Sequence, residues 1–183
     1  MISMNAIDIM VDEHKNIKKM LVITRKYCRM LLNNEDFDLD VFNEIIDFIR
    51  NYADKHHHGK EEEMLFNKME EECVEAIKKT IRYGMLVEHD MGRMYVRDLE
   101  EALKRYKDGD EDAKLDIIAN AISYTHLLQR HIDKEDNILY KYAINNLSKD
   151  TLDKLNKESL EFEENAKKNG TQDKYIKLIE KLS

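Results

Sequence analysis

Two stretches of this chain set histidine and glutamate one helical turn apart. HHGKEEEMLF (57–66) and HIDKEDNILY (131–140) share the pattern His-x-x-Lys-Glu-acid-x-apolar-Leu-aromatic. His57 matches His131, Lys60 matches Lys134, Glu61 matches Glu135, Leu65 matches Leu139 and Phe66 matches Tyr140. A Glu-His dipeptide precedes each stretch, Glu13-His14 before the first and Glu88-His89 before the second. The spacings from His14 to His57 and from His89 to His131 differ by one residue. The chain thus uses one unit twice, each copy supplying His and then His-x-x-x-Glu. Imidazole and carboxylate without thiolate are a donor set for iron, manganese or zinc. His14, His57, Glu61, His89, His131 and Glu135 are the candidate ligands.

Six side chains are too many for one tetrahedral zinc and suit a dinuclear site with both glutamates bridging. Two glutamates on apolar stripes need compensating positive charge, which metal cations supply. The Glu-x-x-His motif of ferritin-like di-iron bundles is missing, and so is the H-E-x-x-H of metalloproteases. The ten methionines read as core filling.

The elements that position these residues are helices. There is no proline and there are five glycines, too few for many strands and tight turns. Apolar residues recur at helical spacing from Ile7 to Leu32, then from Val41 to Leu65 after an Asn33-Asn34-Glu35-Asp36 break. A third helix contains Leu86 to Leu103 and ends before Asp108-Gly109-Asp110, and a fourth runs from about Glu111 to Asn146. Residues 71–84 are ambiguous, with a short helix before Gly84. Ser148 reads as an N-cap for a fifth helix that Lys168-Asn169-Gly170 ends, and a last helix follows Thr171. This predicts one domain over 1–183. Its core is an all-α, up-down-up-down four-helix bundle over about 5–146, and a C-terminal helical extension over about 148–183 caps it or makes a subunit contact.

Hairpins of equal arm length place the six candidates in one layer. Residues i and i+4 lie about 6 Å apart along one helix face, so each His-x-x-x-Glu can grip one object. In α-helical phase His57 and Glu61 share the core stripe of Ile49, Ala53 and Leu65. His58 shares a solvated face with Asp54 and Glu62, and His56 lies at the edge beside Tyr52. The repeat further predicts that Glu61 and Glu135 behave alike.

The combined pattern His14, His57-x-x-x-Glu61, His89, His131-x-x-x-Glu135 resembles the hemerythrin-like (HHE cation-binding) proteins over roughly residues 5–146. The resemblance implies two iron ions in a non-haem di-iron centre, with bridging carboxylates and a bridging oxo or hydroxo group. It implies O2, H2O2 or NO as small-molecule ligand, with the protein acting as sensor, scavenger or weak peroxidase. Nitric oxide reduction, iron donation to damaged iron–sulfur clusters, and a regulatory helical domain with a structural metal stand as alternatives. Oxygen carriers of the family have His-x-x-x-His on the third helix, whereas the residue four after His89 is Arg93. The sequence therefore reads as one histidine short, with more open coordination than a carrier.

Net charge is −8, and no basic patch alternates with aromatics, which argues against nucleic acid and anionic membrane surfaces. No apolar run reaches the length of a bilayer span, and the N-terminus lacks the basic start of a signal peptide. Cys28 and Cys73 form no C-x-x-C pair and read as reduced thiols in a cytoplasmic protein.

Overall fold

Asn5 caps the first helix by accepting a hydrogen bond from the Asp8 amide, and α1 (Ala6–Leu32) follows in the computed structural model, which describes residues 5–183. Its buried Ile7, Met10, Ile17, Leu21, Cys28 and Leu31 form the expected apolar stripe. Asn34 leaves the helix in the left-handed region at φ 54°, a conformation asparagine tolerates. Three long helices come next: α2 over residues 41–72, α3 over 75–107 and α4 over 113–146. Gly109, at φ 98°, turns the chain between α3 and α4. The helices α1 to α4 form the up-down-up-down bundle that the periodicity predicts. The ambiguous 71–84 region resolves into the end of α2, a short break at residues 73–74 and the first turns of α3.

These helices are not uniformly α. The stretches Ile49–His58, Glu61–Leu65, Ile81–Met85 and Glu135–Leu139 are π-helical. The Gly59 amide donates to the Asp54 carbonyl, Phe66 to Glu61, Leu86 to Ile81 and Tyr140 to Glu135, each five residues back. Such wide turns hold about one residue more than an α turn and rotate the side chains that follow out of the 3.6-residue phase. Three of the four contain or flank candidate ligands, and the Glu61 and Glu135 turns occupy matching repeat positions.

Two apolar clusters fill the interior. One, toward the α1–α2 and α3–α4 turns, includes Ile17, Phe42, Ile45, Phe48, Leu99, Ile117 and Tyr124. The other, at the opposite end, includes Met10, Leu65, Phe66, Met69, Ile81, Leu139 and Tyr140. A polar layer separates them: Glu13, His14, His56, His57, His58, Lys60, Glu61, His89, His131 and Glu135 are all buried. Each fully buried large apolar side chain contributes roughly 1.5–3 kcal/mol, and the two clusters together offset the expense of drying that layer.

The Ser148 hydroxyl accepts from the Thr151 amide and starts α5 (Lys149–Lys168); Gly170, at φ 69°, turns it into α6 (Thr171–Leu182). The pair packs along α1 and α2. Asn156 accepts from the Ala6 amide, Lys68 pairs with Glu158, and the Tyr175 hydroxyl donates to Asp47 at 3.0 Å. Among the described residues, no helix is long and apolar enough to cross a membrane.

Candidate metal centre

The structure brings all six expected side chains into the polar layer, each no more than 1% exposed. α1 carries His14, α2 carries His57 and Glu61, α3 carries His89, and α4 carries His131 and Glu135. Their donor atoms fall into two groups, each with all atoms within 4.8 Å of one another. One is His14, His57, Glu61 and Glu135; the other is His58, Glu61, His89 and His131. Glu61 belongs to both, its Oε2 lying 3.8 Å from His57 Nε2 and 3.5 Å from His89 Nε2. Glu135 spans them as well, with Oε2 3.4 Å from His14 Nε2 and Oε1 2.9 Å from His131 Nε2.

His58 corrects the sequence reading. It is 4% exposed rather than solvated, and its ring stacks on His89 at 3.8 Å between centroids. The π-helical stretch Ile49–His58 is the cause, because it slips the phase until positions 56, 57 and 58 all face inward. The layer is therefore not one histidine short. The two donor groups hold five imidazoles, two in one and three in the other, and His58 is the fifth that a reading from Arg93 omits. Arg93 itself lies 40% exposed, paired with Asp54 and Glu62.

Outside the imidazoles runs a ring of carboxylates. Nδ1 donates from His14 to Asp136 at 2.6 Å, from His57 to Glu13 at 2.8 Å, from His89 to Glu62 at 2.6 Å and from His131 to Glu88 at 2.7 Å. His58 Nδ1 makes a longer contact with Asp54 at 3.4 Å. These acceptors hold Nδ1–H outward and turn each Nε2 inward, the arrangement that orients metal-binding histidines. Glu62, expected on a solvated face, is thus part of the site. The ring also accounts for the rest of the repeated motif. Glu13 and Glu88, ahead of His14 and His89, hold the histidine of the next helix, and Lys60 and Lys134 pair with those same two glutamates. The copies differ outside the bundle, because Lys60 is fully buried under Glu163 of α5 whereas Lys134 is 40% exposed. His56 joins the buried network, 2.9 Å from Glu13 and 3.3 Å from Glu163.

Whether these residues suit a cation can be judged from the atoms they leave without partners. His14 Nε2, His57 Nε2, His58 Nε2, Glu61 Oε2 and both Glu135 oxygens are buried without a well-aligned hydrogen bond, Glu135 having only its ion-pair contacts with His131 and His14. Buried polar atoms are nearly always paired, so six orphans on five facing residues call for a shared positive partner. His89 Nε2 and His131 Nε2 face each other at 3.0 Å, two like donors toward one point.

The charges tell the same story. Burial, reinforced by neighbouring His14, pulls the His57 imidazole down to about 4, and burial beside His89 pulls His58 well below its ordinary value. Burial raises the Glu61 carboxyl well above the usual range, and the Glu135 charge raises it further. Burial acts on Glu135 too, but His131 and His14 outweigh it and hold that carboxylate low. His131 rises to about 9, where Glu135 and Glu88 overcome burial. The Tyr140 hydroxyl donates to Glu61 Oε1, and its ring stacks on His14 at 5.5 Å. Phe66, at the matching position of the first repeat, lies 6.0 Å from the His89 ring and brings no hydroxyl.

The model of the hemerythrin HHE cation-binding domain matches residues 5–143 of the 183. This chain belongs to that family. A search among curated proteins found no match. In the hemerythrin-like frame, the matched span covers the four bundle helices up to the last turn of α4 and every residue of the two donor groups, while α5 and α6 lie beyond it. The hemerythrin-like bundle of this chain therefore carries His and Glu clusters able to hold metal cations.

Proposed function

We propose that the layer holds two iron ions and that the protein binds or reacts with a small oxidant: O2, H2O2 or NO. The observation that carries the reading is the six orphaned buried donor atoms, divided between two four-residue groups that share Glu61. His14 and His57 would serve one ion, His58, His89 and His131 the other, and Glu61 and Glu135 both. Two adjacent irons would supply one-electron redox steps to a bound diatomic or peroxide.

The protein's own contribution is derived from its side chains. The carboxylate ring fixes the orientation of four imidazoles, holding Nδ1 outward and Nε2 toward the centre of the layer. The two apolar clusters exclude bulk water from above and below the layer. The Tyr140 hydroxyl donates its hydrogen bond to Glu61 Oε1, and burial keeps that phenol from ionising. It is the one hydroxyl donor to a bridging carboxylate among the described residues.

Metal analysis and absorption spectra of the purified protein, with anaerobic iron loading, test the reading. Two irons per chain with near-ultraviolet charge-transfer absorption support it. One tightly bound zinc with no iron uptake would overturn it. Stopped-flow mixing of the reduced protein then separates the roles, since a stable oxygen adduct means binding and rapid turnover of peroxide or NO means an enzyme.

A further inference from the structure

A cavity of about 100 Å³ lies beside the three-histidine side of the layer. The buried His58, His89, Gly92, Val96 and Tyr124 line it, and the more exposed Asp54 and Arg93 mark its mouth. By volume it holds about three waters, or one molecule of two to four heavy atoms. Two further features set it apart from an ordinary packing gap.

The first is the Tyr124 hydroxyl, which is buried and has no hydrogen-bond partner. A buried phenol without a partner is disfavoured unless something in the cavity accepts from it. The second is Gly92, in the interior of α3, where glycine weakens a helix. A Cβ there would meet Tyr124 Cε2 at 3.6 Å and Leu128 Cδ2 at 3.7 Å, ordinary contacts. Alanine fits, so steric exclusion does not explain the glycine; keeping the space open does.

The mouth selects for charge. Arg93 is already paired with Asp54 and Glu62, both at 2.7 Å, and the nearby Arg50 is bound bidentately by Glu100 at 2.9 and 3.0 Å. Among the lining residues no unpaired arginine is left to compensate an anion, and the exposed lining is largely carbon. We propose that this cavity is a binding site for a small neutral molecule of two to four heavy atoms, apolar along its body, whose one acceptor atom takes the Tyr124 hydrogen bond. That the guest waits there for the adjacent metal pair rests on the reading above; the binding itself does not.

The test uses the metal-free full-length chain and two linear triatomic probes of the same electron count, neutral nitrous oxide and anionic azide, each followed by its infrared stretch. Wild type should show one saturable nitrous oxide site per chain and no azide site. Tyr124→Phe should weaken nitrous oxide binding roughly two- to tenfold, the value of one hydrogen bond, and melt no lower than wild type. Gly92→Leu should abolish the bound signal. Gly92→Ala, which keeps the fold in any case, should melt higher and bind more weakly. Nitrous oxide binding unchanged in both Gly92 variants, azide binding as tight as nitrous oxide, or a Tyr124→Phe variant that is destabilised with binding intact would each overturn the proposal. A wild type that binds nitrous oxide but takes up no metal leaves the cavity standing and removes the iron reading. One that takes up metal but no nitrous oxide does the reverse.

Discussion

The rings of His58 and His89 stack at 3.8 Å between centroids with 9° between planes, although one comes from α2 and the other from α3. A ring nitrogen of each lies within 4.8 Å of one from His131 and of a Glu61 oxygen, so the stacked pair and His131 form a trio able to face one cation.

His58→Ala should accordingly lose metal about as severely as His57→Ala, each emptying one of the two groups. Metal per chain after anaerobic loading, with circular dichroism to verify the fold, checks this. Full metal content in His58→Ala would show that the stacked ring is packing alone.

Glu61 and Glu135 occupy equivalent repeat positions and should still differ without metal. Burial and the Glu135 charge raise Glu61, so its contribution to stability is complete below the ordinary value of 4.5 and is lost as pH rises through the raised value. Glu61→Gln should make the metal-free protein at least as stable at pH 7 and remove this dependence. Glu135→Gln breaks the contacts to His131 and His14 and should be destabilising by about 1–3 kcal/mol. Both variants should fail to bind a second metal. Thermal melts in chelator at several pH values read the difference, and equal shifts would restore the symmetric expectation.

Lys60 and Lys134 are a second pair of repeat equivalents with unequal surroundings. Lys60 is fully buried between Glu13 and Glu163, so Lys60→Met leaves two carboxylates with only imidazole and amide partners and should reduce stability by about 3 kcal/mol. Lys134→Met removes a pairing that solvent screens and should change stability by no more than about 1 kcal/mol. Urea unfolding of the two variants measures the contrast. Similar small effects would mean that α5 does not seal the first copy.

Cys28 is buried, and burial pushes its thiol up to about 12. At pH 8 its thiolate fraction is roughly a thousandfold below that of an unperturbed thiol. Iodoacetamide should leave Cys28 unmodified in the folded protein and label it in denaturant, as mass spectrometry of the peptides will show. Rapid labelling in the native state would mean that α1 opens locally.

Much of this protein is written in its local pattern. The absence of proline, the helical stripes, the cap at Ser148 and the glycines at 109 and 170 specify the helices and most of their ends. The duplicated Glu-His and His-x-x-Lys-Glu-acid motifs give the six inward side chains, since equal spacing places them at equal height. Tertiary structure alone decided the rest. A count of 3.6 residues per turn puts His58 and Glu62 on a solvated face, and the π turns of α2 break that count without any mark in composition. Glu163 on His56 and Lys60, and Tyr124 opposite Gly92, join residues far apart in the chain. Periodicity reports which way a side chain points along its own helix; what it meets depends on how separate helices pack, and only the folded chain settles that.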